Sequence, residues 1–185
     1  SEVFQMSFAN IVEVNCGHWE FNSITEFKTG FKTLNTGRTK VTGTELNLSF
    51  QQKTKNIEIQ GFVGYTYVNS MALEPSKSVG SNALNLPLTY LNTSSDTTNY
   101  ALKYRPQHLA KADIIVQFLN WTFGIGATYQ SAVQNVDLAF VMDPIATFIP
   151  GIQESIDKKL TAYTVINARI GYEFTDSWKT NLIVS

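Results

Sequence analysis

The sequence contains little of what marks several common protein classes. It has one cysteine, Cys16, in 185 residues, so neither an internal disulfide nor a CxxC metal-binding spacing is available. Charged residues make up 16% of the chain, whereas an average soluble domain carries about 25%. The net charge of −1 provides no basic surplus. Nucleic acid is therefore not expected among the partners.

Long apolar runs are also missing. No stretch approaches the roughly 20 consecutive apolar residues that a membrane-spanning helix needs. The first residues, SEVFQMSF, lack the basic start and long apolar middle of a signal peptide. Hydrophobic residues nevertheless make up 43% of the chain. They must therefore be distributed in some pattern other than a helical membrane span.

The pattern that is present is alternation of apolar and polar residues with a period of two, which is typical of β-strands. Seven runs show it, and their apolar rows start at Phe4, Leu46, Ile57, Ala112, Trp121, Ile166 and Trp178. Most runs reach the roughly 9–11 residues with which a tilted strand crosses a bilayer. We expect hydrocarbon against the apolar rows and water against the polar rows. A one-residue slip would place Arg169 in hydrocarbon, at a cost of about 2–4 kcal/mol near the bilayer midplane.

The connections between the runs are alternately short and long. The short ones are residues 52–56, 119–120 and 175–177, and the long ones are roughly residues 15–33, 70–99 and 131–159. Loops beyond about 12–15 residues are rare in compact soluble domains. Long loops on every second connection all emerge at one end of the sheet, which is typical of outer-membrane barrels. Within the third, the spacing after Pro150 in PGIQESIDKKL predicts a short amphipathic helix.

Aromatic residues concentrate at the ends of the predicted strands, around the short turns: Phe50, Phe118, Trp121, Phe174 and Trp178. This position matches the aromatic girdle of a membrane barrel. In a β-sandwich, aromatic residues should instead fill the strand centres. Seven strands with two open edges cannot be stable in hydrocarbon, because unpaired peptide groups there cost several kcal/mol each. We expect the chain to be a piece of a larger barrel or to assemble with other chains.

Three segments resemble the TonB-dependent outer-membrane receptors. Residues Asn35 to Leu46 fit the pattern N-x-G-x5-G-x-E-aliphatic, which is similar to a recurring inward strand of these receptors. The stretch YRPQHLAKADIIV, Tyr104 to Val116, resembles one of their later strands with a Pro-x-His start. The end of the chain, Val165 to Ser185, resembles their penultimate hairpin.

The resemblance implies that residues 1–185 form the C-terminal portion of an all-β, antiparallel transmembrane barrel of roughly 22 strands, without its plug domain. It implies a bacterial outer-membrane location, with short turns in the periplasm and long loops outside. The implied partners are outer-membrane lipid, the rest of the barrel and its plug, and a TonB-type energy-transducing protein acting through the plug. The implied function is energy-dependent uptake of a scarce small molecule such as a ferric siderophore or cobalamin.

Other functions stay open at this point. A secreted or surface β-sandwich binding module and a passive porin-type barrel both fit alternating strands. An outer-membrane esterase or protease would need a catalytic constellation, and the sequence shows none. We therefore expect neither an enzyme nor a cofactor.

The candidate functional residues come from the polar rows and one loop. The lumen-facing candidates are Glu45, Asn47, Gln60, Asn167, Arg169 and Glu173. Glu45 either contacts the plug or fixes strand register, and Arg169 with Glu173 predicts an ion pair on the wall. Trp19, in the first long loop, is the candidate for ligand contact. His18 and His108 have no second ligand at metal-binding spacing, so no metal site is expected.

Overall fold

The computed structural model describes residues 1–23, 26–141, 154, 160–175 and 178–185; for residues 17–23 and 26–29 it describes the backbone alone. The amphipathic helix predicted after Pro150 lies almost entirely outside the described residues. No helix within the described ranges is long and apolar enough to span a membrane.

Strands dominate the described part of the chain. The first five are β1 (Glu2–Phe8), β2 (Val12–Ser23), β3 (Glu26–Asn35), β4 (Thr39–Lys53) and β5 (Ile57–Ala72). They are followed by β6 (Gly80–Ser81), β7 (Pro87–Leu88), helix α1 (Tyr90–Thr93), β8 (His108–Phe118) and β9 (Trp121–Gln130). A 3-10 turn (Leu138–Phe140) precedes β10 (Tyr163–Thr175) and β11 (Trp178–Val184).

Seven strands form one antiparallel sheet in the order β1-β4-β5-β8-β9-β10-β11. These are the seven runs predicted from the alternation. The remaining strands form two small hairpins, β2–β3 and β6–β7, inside the first and second long connections. The connections β4–β5, β8–β9 and β10–β11 all lie at the same ends of the strands. We call this the short-turn end of the sheet, and the opposite end the loop end.

The turn between β8 and β9 is anchored to the next strand. Leu119 has a left-handed φ of 52°, a conformation that costs a non-glycine residue roughly 1–2 kcal/mol. The following residue offsets this cost, since the Asn120 side-chain amide donates to the carbonyl of Glu173 at 3.0 Å. The amide of Glu173 in turn donates to the carbonyl of Asn120 at 2.9 Å. The two-residue turn therefore extends the ladder onto β10.

The sheet has one polar and one apolar face, because side chains alternate along each strand. In the register of β8 and β9, Asp113 lies opposite Gly126, and Ile114 lies opposite Ile125. Following the pairing outward puts Glu45 and Arg169 on the same face as Asp113. We call this the polar face and the opposite side, with Ile114 and Ile125, the apolar face.

Two aromatic bands border the apolar face. The band at the short-turn end contains Phe50, Phe118, Trp121, Tyr172, Phe174 and Trp178. Rings within it pack together, as for Trp121 and Tyr172, whose ring centroids are 4.6 Å apart. At the loop end, the Tyr65 hydroxyl and His108 Nδ1 form a hydrogen bond of 2.7 Å. The ring centroids of Tyr67 and His108 are 5.1 Å apart. Eight residues separate Trp121 from Tyr129, or about 26 Å of strand, which a tilt of about 40° reduces to about 20 Å. This is close to the roughly 25 Å apolar band of an outer-membrane barrel.

Strand β1 departs from the expected orientation. Its apolar row was expected against hydrocarbon, yet Phe4 pairs with Gly43 and Phe8 with Thr39, on the same face as Glu45. The reason is the register: β1 pairs only with residues 39–45 of β4. This half of β4 lies beyond the level of Tyr67, which pairs with Thr44. There the apolar band has ended and hydrocarbon no longer selects the face.

The glycine of the N-x-G-x5-G-x-E segment marks a close approach between strands. Gly43 pairs with Val68 of β5, and the ring of Phe4 lies over it. A Cβ at position 43 would collide with the carbonyl oxygen of Tyr67 as well as with the Phe4 ring. The preceding Asn35 shapes the entry to this strand, since its Oδ1 accepts from the amide of Gly37 at 2.9 Å. Both motif residues therefore have structural roles.

Gly43→Ala is expected to destabilise the protein by about 1–3 kcal/mol, since overpacking against a backbone carbonyl cannot be relieved by rotating a side chain. Gly30→Ala is the matched control, because a Cβ there meets nothing within 4 Å. The measurement is the temperature at which the detergent-folded protein loses its compact gel mobility. Equal midpoints for the two variants would contradict the close approach at Gly43.

Candidate functional site

The six candidates from the polar rows share the polar face. Glu45 and Asn47 lie on β4, Gln60 on β5, and the other three on β10. Asn47 donates to Glu45 Oε1 at 2.7 Å, and Gln60 donates to Glu58 Oε1 at 2.8 Å. The face is thus lined by hydrogen-bonded amides and carboxylates. That it faces a lumen stays a prediction.

Arg169 and Glu173 do not form the ion pair predicted from their spacing. Arg169 instead reaches across β9 and pairs with Asp113 of β8. This reach is possible because the intervening positions are glycines: a Cβ at Gly124 would collide with the Arg169 side chain, and one at Gly126 would touch Asp113. Glycines on the middle strand therefore select a partner two strands away over a partner on the same strand.

The same arrangement recurs along the polar face. Glu173 pairs with Lys179 of β11 at 3.0 Å. Asn47 lies over Gly64 and Asn181 over Gly171, each in the space that a Cβ would occupy. Polar side chains thus lie flat on the neighbouring strand at these glycines.

At the loop end, a loop assembly covers the polar face. It consists of residues 11–16, 73–107 and 131–141. Ala72, whose side chain lies on the polar face opposite Thr39, is 2% exposed and packs with Tyr90, Leu102 and Ile11. Thr39 is itself fully buried. The long connections therefore fold over the polar face at this end of the sheet.

The second long connection returns to β8 through a strained segment. Tyr100 and Tyr104 both have left-handed φ, 53° and 57°, which is uncommon for aromatic residues. Between them, the amide of Leu102 donates to the carbonyl of Ser70 at 2.8 Å. The two inversions let this segment pair with β5 while turning Lys103 into the loop assembly.

Lys103 is the centre of a buried polar cluster that joins all three long connections. Its ammonium donates to Asp137 Oδ1 at 2.6 Å, to Thr93 Oγ1 at 3.0 Å and to Asn15 Oδ1. The Lys103 and Asp137 side chains are 1% and 2% exposed. Asp137 Oδ2 accepts from the Tyr104 hydroxyl at 2.8 Å, and this contact and burial raise the pKa of the Tyr104 phenol. We call Asn15, Thr93, Lys103, Tyr104 and Asp137 the Lys103 cluster.

A second buried contact joins the second and third of these connections. The Asn135 side-chain amide donates to the Tyr90 hydroxyl at 2.8 Å and to the carbonyl of Ala101 at 2.6 Å. Burial raises the pKa of Tyr90 to about 12, so its hydroxyl stays a donor, here to the carbonyl of Ala101 at 2.6 Å. A buried polar network of this kind favours one arrangement of the loops.

The sequence did not point to the Lys103 cluster. Its members are far apart in the chain: the residue numbers of Asn15 and Lys103 differ by 88, and those of Lys103 and Asp137 by 34. They follow no local motif. Tyr104 begins the segment that resembles a receptor strand, but that resemblance gives no reason to place it beside Lys103 or Asp137.

Of the two histidines and the loop tryptophan, the structure describes the side chain of His108 alone. His108 begins β8 at the loop end and contacts two tyrosines of the apolar face. Trp19 and His18 belong to β2, but their side chains lie outside the described residues. No cluster of three metal-ligating side chains occurs among the residues that the structure describes.

The sheet therefore combines an apolar face bordered by aromatic bands, a polar face and a loop assembly at one end. A family profile described as "TonB dependent receptor-like, beta-barrel" matches residues 3–185. The chain belongs to this family. Its seven-stranded sheet is a segment of the family's antiparallel barrel, open at both edges in this chain. No curated protein and no solved structure matches the chain significantly.

Membership fixes the general function and confirms the resemblance read from the three segments. TonB-dependent receptor barrels are outer-membrane receptors and transporters, not enzymes. Members of the family hold a plug and interact with TonB in general. In this receptor barrel the loop assembly thus occupies the loop end of a transporter wall.

Lys103→Met is expected to lower the free energy of loop opening by about 3–5 kcal/mol, because it leaves Asp137 buried without its cation. Asp137→Asn should act similarly, and the double variant Lys103→Met/Asp137→Asn should lose less than the two single effects combined. Hydrogen exchange at the amides of Ser95 and Tyr104, which bond across the connections, measures the opening.

The control for this series is Arg38→Ala. Arg38 pairs with Glu74 at 3.3 Å, but its side chain is 64% exposed, so the loss should stay below about 1 kcal/mol. Unchanged exchange in both single variants would contradict a stabilising role for the Lys103 cluster.

Proposed function

We propose that this chain is the C-terminal portion of a barrel, of about 22 strands, that imports a scarce small molecule across the outer membrane with energy supplied by a TonB-type protein. A ferric siderophore or cobalamin is the ligand class. The observation that carries the proposal is the family match over residues 3–185. In this proposal residues 1–185 lack the plug, which belongs to another part of the same protein.

The orientation follows from the same proposal. The short-turn end lies in the periplasm, the loop end lies outside the cell, and the polar face is the lumen. Glu45, Asn47, Gln60, Asn167, Arg169 and Glu173 then line the lumen wall. The loop assembly lies over the outer opening, where a ligand first meets the receptor, and Trp19 remains the loop candidate for ligand contact.

Uptake of radiolabelled ferric siderophores and cobalamin by cells carrying the intact receptor tests the function. Inactivating the inner-membrane energy transducer is expected to abolish uptake while leaving ligand binding to whole cells unchanged. Uptake that persists without the transducer would contradict the proposal and favour a passive porin. A panel of ligands in which none binds would contradict the proposed ligand class.

Ile125→Arg against Val165→Arg tests the assignment of the faces. Ile125 lies on the apolar face and is 56% exposed; Val165 lies on the polar face, opposite Thr128, and is 45% exposed. Arginine at position 125 should cost about 2–4 kcal/mol near the bilayer midplane. At position 165 it should cost little, because the guanidinium stays in water.

The measurement is the folded fraction of each intact variant in lipid vesicles across a urea series. Similar losses at both positions would show that both faces meet the same environment. That result would contradict the assignment of hydrocarbon to the apolar face and water to the polar face.

A further inference from the structure

The ammonium group of Lys103 has no donor left for a second carboxylate. A lysine side chain carries three N–H donors. All three are used, on Asn15, Thr93 and Asp137. Glu13, which lies beside the Lys103 cluster, therefore accepts no hydrogen bond from the buried Lys103 ammonium group.

Glu13 is buried without a full set of partners. The residue is 7% exposed. Its Oε1 accepts from the backbone amide of Lys103 at 3.3 Å, whereas Oε2 has no hydrogen-bond partner in the described part of the chain. On β3, its paired neighbour is Leu34, which is also buried. An ionised carboxylate in this position would be poorly solvated, which favours the neutral acid.

The charges around Glu13 do not reverse this preference. Burial is the largest effect and raises the pKa of Glu13, and the nearby Asp137 adds to the rise. The positive charges of Lys103 and Arg105 and the backbone hydrogen bond oppose it without cancelling it. Arg105 is exposed. Lys32 of β3 lies two pairs further along, opposite Asn15.

The two protonation states differ in the charge that the loop assembly must bury. With Glu13 neutral, the charges of Lys103 and Asp137 cancel. With Glu13 ionised, one negative charge is left uncompensated among buried groups. The contact that this charge would weaken is the one between Glu13 on β2 and the backbone amide of Lys103. It joins the first long connection to the second.

We propose that Glu13 is a proton-dependent latch: its neutral carboxyl holds the β2–β3 hairpin against the Lys103 segment, and loss of the proton loosens the loop assembly. The latch is independent of which ligand the receptor imports. It makes external pH a regulator of how firmly the loops cover the polar face.

The sign of the effect follows from proton linkage. A carboxyl whose pKa is raised on closing stabilises the closed form fully below the ordinary value of 4.5. The stabilisation is lost as the pH rises through the raised pKa of the closed form. Between the two values, one proton changes the opening constant by up to tenfold per pH unit.

The test compares Glu13→Gln with the wild type in the intact receptor. Glutamine has the shape of the neutral acid and cannot ionise. Hydrogen exchange of the Lys103 and Cys16 amides is followed from pH 4.5 to pH 8, two ends chosen to span the window. The ratio of wild-type to variant opening constants removes the intrinsic pH dependence of exchange. Glu74→Gln, at an exposed ion pair outside the cluster, is the matched control.

The expected ratio is near 1 at the acidic end and rises by up to tenfold per pH unit before it levels off. The control should show no such rise. A flat ratio for Glu13→Gln across the whole range would overturn the proposal. Failure of Glu13→Gln to assemble the loops at any pH would overturn it equally, since the neutral side chain is the form expected to be stable. Neither outcome depends on ligand uptake, so the latch and the transport function fail separately.

Discussion

Hydrocarbon offers no hydrogen-bond partner to a peptide group, and the architecture of this receptor segment depends on that constraint. Seven strands pair in an unbroken antiparallel order, so that each interior strand has a hydrogen-bonded neighbour on both sides along all or part of its length. The turn at Leu119 and Asn120 follows the same rule, because the side-chain amide and the carbonyl of Asn120 bond to the backbone of Glu173 on β10. Side-chain chemistry then only has to sort residues between two faces.

This sorting explains which parts of the fold are predictable from the sequence. Strands β5, β9 and β10 could be read directly, because apolar and polar residues alternate along most of each strand. Strand β1 could not be oriented in this way, because it pairs with the part of β4 beyond the apolar band. There a phenylalanine such as Phe4 is placed by the glycine opposite it and not by a solvent boundary.

The candidate site likewise has a part that strand periodicity predicts and a part that it does not. The six residues of the polar rows were found by period alone, since a shared face is a local property of a strand. Their partners were not, because Arg169 selects Asp113 across β9 through the glycines between them. The Lys103 cluster is further from prediction, since it depends on how three separate connections meet. Long connections carry no periodic signal, and their contacts depend on which groups are buried together.

The reach of Arg169 over β9 also has a geometric consequence. Strands β8 and β10 are two spacings apart, about 9.6 Å, and the ion pair joins them on one side of the sheet only. A tie on a single side shortens that side relative to the other. The guanidinium–carboxylate contact thus favours bending of the wall toward the polar side, so one charged pair contributes curvature that a ring of strands needs in order to close.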